Sequence, residues 1–238
     1  MENAIYAGLT RQSGLMSEMQ AVANNIANAN TTGFRAEGVV FSEYIRSTGA
    51  ESPSLSMAAV RVRETDFAQG ALSATGGTYD LAIEGEGFFL VATPDGERLT
   101  RAGGFTPNEN GDLVTAQGWP VLDAGGAPVF VPSGAGAVAI AADGTISADG
   151  QPVGQIGLVM PLDPTELTRS DGVMFAAPSG WQPAAEASVV QGALEESNVN
   201  AVAQITRMIE VQRAYELGQG FLDREDQRIR SVIQAVGR

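Results

Sequence analysis

The chain has 238 residues, of which 44% are hydrophobic, so it can bury one or two substantial cores. Its 28 acidic and 14 basic side chains give a formal net charge of -14. Because such a surface repels phosphate, we expect no nucleic acid among the partners. No apolar run approaches the roughly 20 residues of a membrane helix, and the start lacks the basic and apolar regions of a signal peptide, so we expect neither membrane insertion nor a cleavable signal.

The chain contains neither cysteine nor histidine. Without cysteine it forms no disulfide and no thiolate metal site. Without histidine it lacks the commonest metal ligand and the commonest general base. We therefore expect no catalytic, cofactor-binding or metal-binding residues, and we do not expect an enzyme.

The first predicted element is a helix from Ala4 to Asn28, roughly 37 Å long. Apolar residues recur in it at steps of three and four, which is typical of a helix that packs along a partner. They are Ile5, Leu9, Met16, Met19, Ala23 and Ile26, with Gln12 as the polar exception. A second, weaker stripe consists of Ala4, Gly8, Leu15, Val22 and Ala29. Two stripes predict more than one neighbour for this helix.

The middle of the chain falls into two parts. Residues 37–78 show little periodicity, with at most one alternating strand at 60–63, and we interpret them as a connector. Turn signals then become frequent. They are Asp95-Gly96, Asn110-Gly111, Gly125-Gly126, Asp143-Gly144 and Asp149-Gly150. The short apolar runs between them, such as 88–91, predict hairpins of a small all-β barrel or sandwich.

The last predicted element is a second long helix, which begins at a Ser197-Asn198 cap and continues almost to the end. One seam consists of Met208, Val211, Tyr215, Leu222, Ile229, Val232 and Val236, and Val202, Ile205 and Ile209 begin another. Gly218 and Gly220 each weaken a helix by about 1 kcal/mol relative to alanine, which predicts a soft point there.

The predicted fold class is therefore α+β. Long terminal helices pair as a coiled-coil-like segment beside an inserted all-β domain. The predicted domains are a helical polymerisation domain (1–36 with 197–238), a connector (37–78) and a β-rich outer domain (79–196). Because two helices bury only one seam each, the exposed remainder predicts packing against further copies.

Several stretches of the sequence resemble the flagellar rod and hook protein family. They are residues 22–35 (VANNIANANTTGFR), 80–89 (DLAIEGEGFF), 99–105 (LTRAGGF), 197–200 (SNVN) and 208–216 (MIEVQRAYE). They lie at both ends and in the β region, and together they cover well over a third of the chain. Within that family, the length and the opening NAIY at 3–6 are similar to a subunit of the cell-proximal rod, with the distal rod subunit as the alternative.

The resemblance implies a structural subunit of the axial drive shaft that motility requires. It implies export through the flagellar type III apparatus, a position in the rod where it crosses the periplasm, and partners that are copies of the chain and other rod proteins. It implies no cofactor.

We predict an assembly interface on the terminal helices and the turns that flank them. Its candidate residues are Ile5, Leu9, Met16, Met19, Ala23, Asn24, Asn25, Ile26, Asn28, Asn30, Gly33, Phe34, Asn198, Met208, Val211, Gln212, Arg213, Tyr215, Leu222 and Ile229. Methionine and small side chains suit a surface that packs against unlike neighbours. Arg213 can fix the register by a bond to a carboxylate of another subunit. Since an isolated seam does not offset its conformational entropy, we expect the helices to become ordered on assembly.

Two other classes of protein were weighed. A glycosidase needs paired carboxylates, for which Glu84 and Glu86 are candidates, but Gly85 and Gly87 indicate a turn. A secreted β-rich binding module does not need heptads at both ends. A structural subunit accounts for more of the sequence than either alternative.

Overall fold

The structure, a computed structural model, describes residues 2–46, 55–132 and 134–236. The chain divides into two compact units. The helical unit comprises Met1–Ala29, Ala36–Phe67 and Val199–Arg238, and the β unit comprises Asn30–Arg35 and Ala68–Asn198. The β unit has 16 acidic and four basic residues, so it carries most of the negative charge of the chain.

The elements confirm the α+β class, with a helix toward each end of the chain and antiparallel strands between them. In chain order they are α1 (Glu2–Ala27), β1 (Glu37–Arg46), β2 (Leu55–Thr65), β3 (Leu72–Ala74), β4 (Leu81–Glu84), β5 (Phe88–Thr93), β6 (Gly96–Thr100), β7 (Thr106–Pro107), β8 (Leu113–Val114), β9 (Val121–Leu122), β10 (Val138–Ile140), β11 (Thr145–Ala148), β12 (Gln151–Gln155), β13 (Leu158–Pro161), a 3₁₀ turn (Pro164–Glu166), β14 (Thr168–Asp171), β15 (Met174–Ala176), β16 (Trp181–Pro183), β17 (Ser188–Gln191), β18 (Ala193–Glu195) and α2 (Ala201–Val236). None of the helices in this part of the chain combines the length and the hydropathy of a membrane span.

Helices α1 and α2 pack antiparallel within the helical unit. Gly8 lies beside Leu222 near the start of α1, and Gln12 donates a hydrogen bond to the Tyr215 carbonyl at 3.0 Å. Toward the end of α1, Asn25 donates to the Gln204 side chain at 3.3 Å. The contacts therefore run in opposite directions along the two helices.

The face of α1 that is buried differs from the stripe that we ranked first. Leu9 and Met16 of that stripe are 51% and 47% exposed. The buried line follows the weaker stripe and its polar neighbours, namely Gln12, Leu15, Glu18, Val22 and Asn25. On α2 the middle of the first-ranked seam turns inward, since Val211 is only 2% exposed, whereas Val232 near its end is 51% exposed. The choice of buried face from apolar residues alone was wrong for α1. Hydrogen bonds of Gln12 and Asn25 and the ion pair of Glu18 hold the more polar face against α2.

Helix α2 starts three residues later than we predicted. The Asn200 side chain accepts a hydrogen bond from the Ala203 N–H at 3.0 Å, as an N-cap residue does. The predicted cap residue Asn198 instead belongs to the β unit, where it donates to the Ala68 carbonyl at 2.9 Å. The cap prediction was therefore wrong, because the side chain of Asn198 is used elsewhere.

The segment that we interpreted as a connector carries a long hairpin, where we expected at most one strand. Strands β1 and β2 pair antiparallel, with Glu37 opposite Thr65 and a bulge between Val40 and Phe41. Residues 39–45 are rich in β-branched and aromatic side chains, which is the signal that we underweighted.

The β unit has two hydrophobic clusters separated by β5. Phe89 packs edge-on against Phe105 in one cluster, and its neighbour Phe88 packs against Phe175 in the other. Successive residues of a strand point to opposite faces, so the Phe-Phe pair supplies both clusters. The second glycine, or the only glycine, of each predicted turn has a positive φ, which confirms the turns; these are Gly96, Gly111, Gly126, Gly144 and Gly150.

The strands do not close into a barrel within the described ranges. The largest sheet has seven strands in the order β14-β15-β6-β5-β13-β16, with β9 beside β5. Its outer strands β14 and β16 do not pair with each other, whereas closure requires that they do.

The two glycines of α2 provide a first prediction. A Cβ at Gly218 would lie 2.9 Å from the Gln12 amide nitrogen, whereas nothing surrounds a Cβ at Gly220 within 4 Å. We expect Gly220→Ala to raise the free energy of unfolding of the helical unit by about 1 kcal/mol through helix propensity. Gly218→Ala should not raise this free energy, because the added Cβ displaces the Gln12 side chain and breaks its hydrogen bond to the Tyr215 carbonyl. Thermal melting followed by circular dichroism measures both, and an equal gain in the two variants would contradict this account.

Candidate assembly surface

The helical unit exposes a large set of apolar side chains. Contiguous exposed apolar surface on a soluble chain marks an interaction site. On α2, Val202 and Leu217 are 75% and 73% exposed. Other exposed members on the two helices are Leu9, Met16, Ile205, Ile209, Phe221, Val232 and Ile233. Among the interface residues predicted on α1, Ala23 is also exposed, and Ile5, Met19 and Ile26 are half-buried.

The predicted asparagines have different surroundings. Asn30 is exposed, and Asn28 donates hydrogen bonds back to the Asn24 carbonyl and side-chain oxygen at 2.9 and 3.0 Å. Asn25 is buried, and its side chain exchanges two 2.8 Å hydrogen bonds with the backbone of Glu37. Asn25 therefore fastens the start of β1 to α1, a role within the chain that the sequence did not reveal.

The residues predicted on α2 divide between its two sides. Val211 is buried, and Met208, Tyr215, Leu222 and Ile229 are half-buried on the side that meets α1. Gln212 and Arg213 are exposed. The exposed pair remains available to a neighbouring subunit.

An ion pair connects the two helices. The Arg207 guanidinium donates to the Glu18 carboxylate, with its Nε 2.7 Å from the oxygen, and it also bonds Glu210 at 3.1 Å. The hydrogen bond that Arg207 donates to Glu18 raises the pKa of Arg207, while the partial burial of Arg207 opposes that shift. Because the Glu18 carboxylate lies almost fully inside the helix pair, this ion pair fixes the register of α1 against α2.

A groove of about 620 Å³ lies between the helices on one side of the pair. Small residues give it its depth, among them Ala7, Gly8, Ala214 and Gly218, and Leu217 and Phe221 form its α2 wall. Arg11 is the one charged residue among those that line it.

Gly33 and Phe34, which we predicted for the assembly interface, are buried inside the β unit. The Gly33 N–H donates to the Glu195 carbonyl at 2.8 Å, and the Arg169 guanidinium lies 4.6 Å from the centre of the Phe34 ring. Asn198 donates its backbone N–H to the Phe34 carbonyl at 3.3 Å. The two family-like motifs from opposite ends of the chain therefore meet in space and hold each other.

Gly33 has a specific steric reason to be glycine. Its φ is +69°, and a Cβ there would lie 2.3 Å from the backbone nitrogen of Ala102. No L-residue side chain fits both the dihedral and the close approach. The turn that follows α1 therefore depends on this glycine.

Beside that turn lies a buried arginine–glutamate cluster, which consists of Arg35, Arg101 and Glu195. Glu195 is 0% exposed, and its carboxylate accepts from Arg35 at 2.5 Å, from Arg101 at 3.2 Å and from the Gly70 N–H at 2.9 Å. Burial lowers the pKa of the Arg101 guanidinium, and the Glu195 charge opposes that effect. Sequence reasoning missed the cluster, because nothing in the spacing of three charged residues distinguishes them from solvated ones.

The carboxylates weighed for catalysis occupy a turn. Glu84 and Glu86 are exposed on either side of Gly85, whose φ is +94°. Among the described residues, no group of three or more acidic side chains is placed to hold a metal ion.

Comparison with known proteins gives three family matches in chain order. Residues 5–35 match the family described as flagella basal body rod protein, residues 82–148 match the flagellar hook protein FlgE/F/G D1 domain, and residues 190–235 match the flagellar basal body rod FlgEFG protein C-terminal domain.

Full-length relatives agree with the family matches. The chain is 41% identical to flagellar basal-body rod protein FlgF of Caulobacter vibrioides, over 100% of this chain and 99% of the relative. It is 37% identical to FlgF of Rhizobium meliloti, with the same coverage of both chains. It is 29% identical to flagellar basal-body rod protein FlgG of Bacillus subtilis, over 98% of each chain.

The arginine–glutamate cluster gives a second prediction. Glu195→Gln keeps the size of the side chain but leaves two buried guanidinium groups without a carboxylate. We expect the free energy of unfolding of the β unit to fall by about 3 kcal/mol or more. Both tryptophans, Trp119 and Trp181, lie in the β unit, so urea unfolding followed by their fluorescence reports on it.

The matched control is Glu196→Gln, because Glu196 is an adjacent exposed glutamate. It should change stability by no more than about 0.5 kcal/mol. Similar losses in the two variants would show that the buried cluster does not stabilise the β unit.

Proposed function

The chain belongs to the family of flagellar basal-body rod proteins and is a structural rod subunit, not an enzyme, and we propose that it lies in the cell-proximal part of the rod. The full-length FlgF relatives at 41% and 37% identity, against 29% for the Bacillus subtilis FlgG, support this position. The distal rod, in the manner of FlgG, is the alternative. The family-like motifs at both ends also support export through the flagellar type III apparatus and a position where the rod crosses the periplasm.

The observation that carries the assembly proposal is which faces the helices bury. Helices α1 and α2 meet through a partly polar seam that includes Gln12, Glu18 and Asn25. Leu9, Met16 and Ala23 of the more apolar stripe stay exposed, whereas Ile5, Met19 and Ile26 are half-buried. A helix pair that needed only its own stability would bury its apolar faces first. The exposed stripe is therefore suited to neighbouring subunits.

In the proposed rod, the helical units of copies of this chain and of other rod proteins stand side by side and form the wall of the shaft. The exposed members of the predicted interface contact those neighbours, and Arg213 supplies a charged contact that sets the register. A coiled-coil-like geometry between α1 and α2 remains part of the proposal. The acidic β unit is then the outer domain.

A third prediction tests the proposed position of the chain in the cell-proximal part of the rod. We expect the chain to be present in basal bodies purified from cells that lack the distal rod protein, because a proximal subunit assembles first. Its absence from those particles would contradict the proximal position.

The assembly surface is tested with Leu9→Glu in cells that keep the distal rod protein but lack the unmodified copy of this chain. Because Leu9 is half exposed, the substitution should change the free energy of unfolding by no more than about 0.5 kcal/mol. It should nevertheless abolish swimming, because it places a charge in an apolar contact between subunits. The control is Leu162→Glu, which alters a similarly exposed leucine of the β unit. Normal swimming by Leu9→Glu would contradict the surface.

Coupling of helix order to assembly gives a fourth prediction. In the isolated chain, amides of α1 and α2 should exchange with solvent faster than those of β5 and β6, because the helical unit leaves more apolar surface exposed and is the less stable of the two units. In assembled rods the helix amides should become protected. Hydrogen exchange measures both states, and equal protection of α1 in the two would refute the coupling.

A further inference from the structure

We propose that the groove between α1 and α2 receives the α2 helix of a second copy of this chain. This inference rests on the proposed function and adds the identity of the occupant. The inserted surface is an α2 ridge formed by Val202, Ile205, Ile209 and Glu216. All four residues are exposed and recur at steps of three, four and seven along the helix.

The groove suits a helix. It runs from Ala7 to Leu15 along α1, a length of about 12 Å at 1.5 Å per residue. Its floor contains glycine at Gly8 and Gly218, which allows a backbone to approach closely. The ridge segment from Ile209 to Glu216 is about 10 Å long by the same rise. An amphipathic helix laid in an apolar groove is a recurring mode of recognition.

Charge complementarity identifies the occupant as a second copy. Arg11 is exposed in the groove, and its side chain makes no ion pair or hydrogen bond within the described part of the chain. Glu216 lies on the ridge and likewise has no partner among the residues that the structure describes. In the proposed contact, Ile209 packs against the apolar wall of the groove and Glu216 pairs with Arg11, which supplies the missing partner of each.

The groove and the ridge occupy different sides of the same helix pair. Leu217 and Phe221 of the groove wall lie about one third of a turn around α2 from Ile205, Ile209 and Glu216, at 100° per residue. One copy can therefore offer its ridge while its groove is filled by another. A head-to-tail contact of this kind repeats into a ring or an open helical array, which is the symmetry that a rod requires.

The test is a charge exchange between Arg11 and Glu216 in the full-length chain, expressed in cells that lack the unmodified protein. Arg11→Glu and Glu216→Arg should each reduce swimming by at least about tenfold, because like charges then meet in the contact. The double variant should restore swimming to within about threefold of the unmodified chain, since the opposite charges are re-formed. Glu109→Arg, at an exposed site of the β unit, is the control and should swim normally.

A second measurement does not depend on motility. Because the chain has no cysteine, copies with Arg11→Cys and copies with Glu216→Cys can be expressed together and oxidised in assembled basal bodies. We expect a cross-linked dimer for that mixture and none when Glu109→Cys replaces Glu216→Cys.

The proposal is overturned if both single variants swim normally, if the double variant is no better than the worse single variant, or if the cysteine mixture yields no dimer. In those cases, recovery of the unmodified chain in purified basal bodies would show that the rod assignment still holds and that the groove has a different occupant. Absence of the unmodified chain from the particles would instead remove the proposed function itself.

Discussion

Helix α1 packs against both α2 and the β1–β2 hairpin, and the face that it buries is the more polar one. The Glu18–Arg207 ion pair and the Asn25 bonds to β1 are directional, so they fix one register of the helical unit. Ion pairs and amide bonds of this kind specify geometry more than they add stability. Leu9 and Met16 of the more apolar stripe are left exposed, which supports the proposed contacts with neighbouring subunits.

The β unit differs from the helical unit, because its two hydrophobic clusters are formed entirely by its own residues. Phe88 and Phe89 serve separate clusters on the two faces of β5, and the positive-φ glycines close the turns between short strands. Its surplus of acidic side chains is screened within about 10 Å at ordinary salt. Like charges therefore disfavour contact between β units only at short range.

Much of the fold was readable because it depends on local chemistry. The two helices, the Phe88–Thr93 strand and the glycine turns follow from periodicity and from the dihedral freedom of glycine. The start of α2 was not predictable, because Asn198 and Asn200 are equally good caps and only the tertiary bond of Asn198 decides between them.

The candidate surface was predictable only in part. The apolar stripes of α1 and α2 were recognised, but which α1 stripe turns inward depends on partners of Gln12, Glu18 and Asn25 that lie far away in the sequence. Arg35 and Glu195 were missed for the same reason. A charged side chain is buried only when the folded chain brings its counter-charge to it, and no periodicity encodes that meeting.

The separation of Arg35 and Glu195 along the chain determines when the buried cluster of the β unit can form during folding. Arg35 and Arg101 both precede Glu195, so a polypeptide that ends before residue 195 lacks the buried carboxylate that both guanidinium groups contact. This buried cluster of the β unit can therefore form only after residue 195 has been added to the chain.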